Sequence, residues 1–314
     1  MSVKKVDLKN FPFKVERVPD DPTSAPHDKT LYNGYDFDNA FISDLKSDLK
    51  TNSVVVFENV FSVNQLPDVP EDFTPTGDKF CSDIVNRAIE LLLKTGQIPV
   101  SYRSENSGSL YVNLVPMEGE SQQAIKSTKD MRGHTDAIAH ALVEEESVKG
   151  ISPSPNTVIL ICLSNPGRTA TKICCLDDVL QLLKPETIEQ LKLPQFMVQP
   201  QGTFKDLEPL INAPILRDNP QGLRFSHGKI TVDKMSSNAE SAEAALEELR
   251  SIVSKCYEYV VLKPGDIAFI NNHNAIHGRA EVGDHKRWLL RMYAINNNTV
   301  CYPANGMPSY VLHP

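Results

Sequence analysis

The residues that could do chemistry together are His134-Thr135-Asp136, the distant His277, and the arginine pair Arg287 and Arg291. In an extended backbone, residues i and i+2 point the same way, so His134 and Asp136 can reach one ion together. A third ligand from a distant strand, His277, would complete two imidazoles and one carboxylate on one face of that ion. Such a set leaves the opposite coordination positions open, as non-haem Fe(II) oxygen chemistry requires. The first piece alone carries little weight. Eight His in a chain with 40 acidic residues yield about one His-x-Asp match by chance. An isolated match is more often a surface ion pair or a cap.

The arginines raise its weight. His277 lies in Ala275-Ile276-His277-Gly278-Arg279, and Arg287-Trp288-Leu289-Leu290-Arg291 follows after a short interval. On a strand Arg287 and Arg291 share one face within an otherwise apolar stretch. Two inward guanidinium groups need anions, because a buried charge without a partner costs several kcal/mol. A bidentate carboxylate of a dicarboxylic cosubstrate would satisfy the first. The competing reading pairs both arginines with Asp or Glu of the protein itself.

Several elements must hold these residues in place. Residues 1–36 are polar, carry Pro19, Pro22 and Pro26, and read as an extended N-terminal arm. Helical spacing runs from Asp38 to Leu49, followed by the β-branched strand Ser53–Phe57. Residues 62–77 read as a Pro- and Asp-rich loop. Asp78 is placed to cap a helix with Phe80, Ile84, Ala88 and Leu91/Leu92 on one face, ended by Gly96. Leu110–Val115 is a strand that stops at Pro116, and Glu118–Gly133 reads as a polar loop leading into His134. Thr157–Leu163 is a continuous apolar run, the mark of a strand buried on both faces. Helical turns fill 176–191 around Pro185, and 194–230 reads as loop with five Pro. Ala239–Cys256 shows one apolar helix face. Two strands, Asp266–Ile270 and Arg287–Ile295, then close the chain. Short strands with helices outside them suit a β-sandwich or jelly roll better than alternating βα units.

Composition narrows the partners. The chain has 314 residues with 32 Lys plus Arg and 40 Asp plus Glu, a formal charge of −8, and about 40% apolar residues. The acidic balance and the lack of a basic stripe argue against nucleic acid. Six Cys without a CxxC pair read as free thiols in a reducing compartment, Cys162 within an apolar run. No apolar run approaches the roughly 18 residues of a membrane helix, and the first residues resemble no secretory signal. A cytoplasmic protein of one domain spanning 1–314 is expected, with no membrane partner.

On these residues the chain resembles the Fe(II)- and 2-oxoglutarate-dependent oxygenases, in the clavaminate synthase-like, TauD-related branch that includes free arginine and asparagine hydroxylases. His134-Thr135-Asp136-Ala137-Ile138-Ala139-His140 is similar to that branch's metal segment. Asn156-Thr157-Val158 through Asp177-Asp178-Val179-Leu180 is similar to its central strand, turn and helix. His277-Gly278-Arg279 and Arg287-Trp288-Leu289-Leu290-Arg291 match its C-terminal signature. The resemblance covers roughly residues 50–295 and implies a mainly β fold with flanking helices, a double-stranded β-helix.

Residue by residue, the resemblance implies that His134, Asp136 and His277 hold Fe(II), the catalytic metal. Arg287 would take the distal carboxylate of 2-oxoglutarate. Thr171 is assigned beside it, with Lys172 as the alternative one residue on. Arg291 would complete the cosubstrate side and hold the carboxylate of a small-molecule substrate. The presence of Asp136 disfavours halogenation, whose relatives carry a small non-ligating residue there. Gln122, Gln123 and Ser127 lie in a lid-like stretch and are substrate-contact candidates, with a solvated loop as the plainer reading. Ser226 stands where arginine-hydroxylating relatives carry Asp after the aromatic residue, which weakens free arginine as substrate. The implied reaction uses O2 to oxidise an unactivated C–H bond of an amino acid or derivative, including N-alkylated ones, by hydroxylation, desaturation or oxidative cyclisation. The rivals are hydroxylation of a protein or peptide side chain, and a non-catalytic metal-binding jelly roll. Other histidines read differently: His27, His285 and His313 as solvent-exposed, and His140 as packing or support. His273 and His277 have a zinc spacing only on a helix, which Pro264-Gly265 makes unlikely.

Overall fold

The computed structural model describes residues 3–9, 11, 35–63, 66–75, 77–142, 145, 150–218, 221–232 and 238–313. The first half comprises β1 (Val3–Asp7), α1 (Asn39–Thr51), β2 (Val54–Glu58), α2 (Lys79–Thr95), β3 (Gln97–Tyr102), β4 (Tyr111–Leu114), α3 (Gln122–Thr128) and β5 (Met131–His134). The centre adds β6 (Thr157–Ser164), β7 (Thr171–Cys175), α4 (Leu176–Leu182), α5 (Pro185–Lys192), β8 (Phe196–Val198) and β9 (Leu210–Ala213). Then come β10 (Leu216–Asp218), β11 (Gln221–Leu223), β12 (Ile230–Val232) and α6 (Ala239–Val253). The chain finishes with β13 (Glu258–Val260), β14 (Ile267–Asn271), β15 (Ala275–Arg279), β16 (Trp288–Asn296) and β17 (Val311–Leu312).

Two sheets face each other. The larger has eight strands in the order β1-β2-β14-β6-β16-β3-β17, with β4 also paired to β16. The smaller runs β13-β7-β15-β5. Between them pack Val158, Leu160 and Cys162 of β6 and Leu289 and Tyr293 of β16, against Ile173 and Ala275 of the small sheet. The alternate residues Ile159, Ile161 and Leu163, with Trp288, Leu290 and Met292, point the other way against α1 and α2. The continuous apolar run in β6 therefore serves two cores at once. A third core lies outside the small sheet, where Cys174 and Ile276 meet α4, α6 and Phe196. This is the mainly β, helix-flanked jelly roll expected from the sequence.

The helices form where the pattern placed them. Asp78 caps α2 by accepting from the Cys81 amide at 2.7 Å, and Gly96 ends it with φ 82°. Its buried face includes Ile84, Ile89, Leu91 and Leu92, each worth roughly 1.5–3 kcal/mol of burial. Asp38 caps α1 in the same manner.

Four sequence expectations need correction. Residues 3–7 of the expected arm form β1, which pairs in parallel with β2, while residues 12–34 lie outside the described set. The polar stretch 118–133 is not all loop: Ser121 caps α3 by accepting from the Ala124 amide at 3.0 Å, and β5 follows. The Pro-rich region 194–230 contains five short strands, β8 to β12, whose lengths of three or four residues leave little periodicity to read. Instead of two closing strands there are also β13, β15 and β17.

Candidate active site

The small sheet brings the two histidines together. β15 and β5 run antiparallel, and His277 pairs directly with His134, their rings 4.6 Å apart between centroids. Directly opposed residues on neighbouring strands point to the same face, so distance in sequence disappears at the site. Asp136 arrives differently. The strand stops at His134, and Asp136 lies in a turn followed by Ala137 with φ 54°. Asp136 therefore reaches the two histidines from a turn and not from the extended strand expected. Its carboxylate sits 3.5 Å from His134 Nε2 and 3.6 Å from His277 Nε2. One donor atom from each of the three lies within 4.8 Å of the others.

That turn is held by residues the sequence reading did not single out. Asn272 accepts from the Asp136 amide at 2.8 Å and donates to the Asp136 carbonyl at 2.9 Å. Gln201 donates to the Asp136 carboxylate at 3.1 Å and accepts from the Ala137 amide at 2.7 Å. Asp136 Oδ2 is buried with no hydrogen-bond partner. The His134 Nδ1 position lies 3.1 Å from the Arg132 carbonyl, so its proton belongs there and Nε2 is left bare toward Asp136. Burial and the neighbouring His277 pull the His134 imidazole down to about 4, which keeps it neutral at physiological pH. Burial alone would raise the Asp136 carboxyl, but His277 and Arg291 outweigh it and hold it well below the usual range. Two imidazoles, one of them held neutral by its burial, and an ionised carboxylate with an unsatisfied oxygen fit a divalent metal ion.

The two arginines have different surroundings. Arg291, on β16, donates to Glu105 at 2.7 Å and stands 3.8 Å from Asp136, its guanidinium 4.7 Å from the Tyr293 ring centre. Arg287, just before β16, is 5% exposed, and among the described residues it has no hydrogen-bond or ion-pair partner. Burial and the nearby Arg279 draw its pKa down to about 10, still cationic at neutral pH. Of the two readings, a protein partner therefore holds for Arg291 and not for Arg287. Thr171, on β7, lines the same cavity. Lys172 turns to the opposite face, pairing with Asp130 and lying 5.6 Å from the Tyr257 ring centre. The cavity, of about 1080 Å³, also includes His134, Asp136, His277, Arg287 and Arg291 in its walls.

The remaining candidates scatter. Ser226 lines the cavity and its backbone bridges to His134. Ser127 also lines it, yet its hydroxyl donates to the Ala124 carbonyl at 2.6 Å and accepts from the Met117 amide at 2.8 Å. Gln122 and Gln123 open α3, and their side chains lie outside the described residues. His140 is a buried core residue whose Nδ1 meets the Ser152 carbonyl at 2.9 Å. His273 meets the Ser154 hydroxyl at 2.8 Å and is not part of the His134, Asp136 and His277 cluster. His285 is exposed, His27 lies outside the described residues, and His313 is half-buried against the Gly150 carbonyl. All six cysteines are free, and Cys256 and Cys301 are only half-buried. Arg279 was visible as part of a motif but not as a support. Its guanidinium reaches the carbonyls of Lys126 and Lys129 at 3.2 and 3.0 Å, tying β15 to the end of α3. Glu105, the counterion of Arg291, carried no sequence signal.

Comparison with known proteins agrees with this geometry. Residues 22–293 match the family described as taurine catabolism dioxygenase TauD, TfdA family. The chain is 27% identical over 230 residues to the L-asparagine oxygenase of Streptomyces coelicolor, covering 68% of this chain and 62% of that protein. It is 26% identical over 226 residues to the L-ornithine/L-arginine 3-hydroxylase of Catenulispora acidiphila, covering 62% of each. It thus spans about 62% of the length of these curated relatives. Among solved structures, an asparagine oxygenase with Fe(II), 3-hydroxyasparagine and succinate superposes with a TM-score of 0.69 at 20% identity, over 88% of this chain and 86% of that one. The non-heme iron oxygenase OrfP with Fe and alpha-ketoglutaric acid gives 0.63 at 21%, over 83% and 81%. These likenesses show a shared fold.

Proposed function

The chain belongs to the TauD/TfdA dioxygenase family, and from that premise we propose that it is an Fe(II)- and 2-oxoglutarate-dependent oxygenase of an amino acid or amino-acid-derived small molecule. One observation carries the reading: an open set of two imidazoles and one carboxylate shares a cavity with a buried arginine that has no partner among the described residues. A metal-binding jelly roll without turnover has no use for that arginine.

In this reading His134, Asp136 and His277 hold the iron, and all 314 residues form one oxygenase domain. Arg287 receives the distal carboxylate of 2-oxoglutarate through a charge-assisted contact, with Thr171 beside it. When bound, Fe(II) with 2-oxoglutarate and O2 supplies an oxidant able to attack an unactivated C–H bond. The chain's own residues do the rest. The Arg132 carbonyl keeps the His134 proton on Nδ1, and Asn272 and Gln201 aim the Asp136 carboxylate. In this reading the guanidinium nitrogens of Arg291 that Glu105 does not engage meet the substrate carboxylate, and Ser226 lines the same cavity. No helix among the described residues is long and apolar enough to cross a membrane. The six free thiols suit the reducing cytoplasm.

The test is anaerobic addition of Fe(II) and then 2-oxoglutarate, which should produce a weak visible charge-transfer band that Arg287→Ala diminishes. Succinate release across a panel of amino acids and derivatives then ranks substrates. Absence of the band from intact protein defeats the proposal, and strong stimulation by a peptide but by no small amino acid replaces it with side-chain hydroxylation.

A further inference from the structure

The chain is acidic overall, yet the cavity above the metal ligands is cationic. Three of its positive charges are accounted for: Arg279 by carbonyls, Arg291 by Glu105, and Arg287 by the cosubstrate under the reading above. Five remain in the lining, namely Arg103, Lys126, Arg132, Lys205 and Lys229. Among the described residues, none of their side chains has a hydrogen-bond or ion-pair partner. Besides Asp136, the lining offers one carboxylate, that of Asp206.

These cations are not scattered surface charges, because the segments carrying them also build the metal site. The turn that begins at Gln201, the donor to Asp136, carries Lys205 and Asp206. That turn is joined to the segment of Arg103 by the Lys205 amide, which donates to the Ser104 carbonyl at 2.8 Å, and by a bridge between Phe204 and Glu105. On another wall, Arg132 supplies the carbonyl that orients His134, and Ser226 bridges to His134 three residues before Lys229. Charge is thus set at fixed offsets from the iron ligands. Asp206 sits in the left-handed region at φ 59°, a conformation a non-glycine residue adopts at a cost and which clusters at functional sites.

We propose that the substrate carries a second anionic group beyond the amino-acid carboxylate: an acidic amino acid, or an extended derivative of one. The extra carboxylate or phosphate is read by Arg103 and Lys205, and Asp206 is the counterion for its ammonium. A guanidinium substrate would meet five uncompensated cations here, and an amide side chain would neutralise none of them. The proposal rests on the oxygenase reading but is tested apart from it.

Protein loaded with Ni(II), which binds without turnover, and with 2-oxoglutarate is titrated calorimetrically with L-glutamate and with O-phospho-L-serine. Each is compared with its uncharged counterpart, L-glutamine or L-serine. The expected result is binding of at least one acidic member at least about tenfold tighter than its counterpart, weakening as salt is raised. Preference in the glutamate pair alone identifies a carboxylate, and in the phosphoserine pair alone a phosphate. Arg103→Gln combined with Lys205→Gln should abolish the preference while unfolding temperature and 2-oxoglutarate binding stay unchanged, which separates lost recognition from lost folding. Equal binding within both pairs, no binding of either acid, or a preference that survives the double substitution overturns the proposal. If 2-oxoglutarate itself does not bind, the oxygenase reading fails instead, and the same pairs titrated against protein without cosubstrate still decide the charge preference.

Discussion

The floor of the cavity and its rim are built on opposite terms. On the floor, Asp136 and His134 are oriented by named partners, and Arg291 is matched by Glu105. On the rim, Arg103, Lys126, Arg132 and Lys205 are exposed and unpaired. Exposed long side chains keep their rotamer freedom and are screened by solvent, so they tune affinity by modest amounts. Buried groups with single, short contacts control whether the chemistry happens at all. Arg287 belongs to neither class, being buried like the floor and, among the described residues, unpaired like the rim. That combination is what a site awaiting a charged ligand looks like.

The sharpest break of this comparison is Asp136→Ala, which removes the one anionic floor ligand. It should abolish the Fe(II)-dependent visible band and lower succinate release by about 1000-fold or more. Next is Arg287→Ala, expected to weaken 2-oxoglutarate binding by roughly 30- to 1000-fold in a calorimetric titration. Arg287→Lys should recover only part, because an ammonium lacks the planar fork. Removing a brace instead of a ligand, with Asn272→Ala or Gln201→Ala, should cost about 10- to 100-fold in metal affinity measured by competition with a chelator.

A smaller effect concerns two histidines that do not line the cavity, the buried His140 and the half-buried His273. Burial pulls His140 down to about 4, and burial aided by the positive charge of Arg224 does the same for His273. Above pH 6.5 both are neutral whether folded or unfolded, so they leave stability unchanged. As pH falls below 6.5 the unfolded chain takes up their protons and the folded one does not. Stability is then lost until pH reaches about 4, each histidine contributing up to about 1.4 kcal/mol per pH unit. Calorimetric unfolding of the metal-free protein should show this slope, and His273→Gln should reduce it. The smallest expected effect is in Arg279→Lys. Loss of its carbonyl contacts should raise amide exchange in α3 several-fold while metal binding is retained.

Much of the frame was legible because it is local. The continuous apolar run in β6, the Asp78 cap and Gly96 terminus of α2, and the two-residue alternation in β16 are rules of short range, and each element formed where expected. The strands β8 to β12 were not legible, since three- or four-residue segments between prolines carry too few positions to show a period. The candidate metal ligands could be singled out because His134, Asp136 and His277 stand in order with the Arg287–Arg291 segment, and that combination resembles a family signature. Their supports could not, because Asn272, Gln201 and Glu105 are common polar residues whose use depends on what lies opposite.

By itself the sequence singled out the residues on which the proposed chemistry rests: His134, Asp136, His277 and Arg287 have side chains that few other arrangements can employ together. The tertiary structure alone decided which arginine is spent. Arg287 and Arg291 are the same residue type four positions apart, and only the approach of Glu105, 186 residues away from Arg291, neutralises one and leaves the other free. Charge compensation is settled by distance in space, and pairing across the sheets sets that distance.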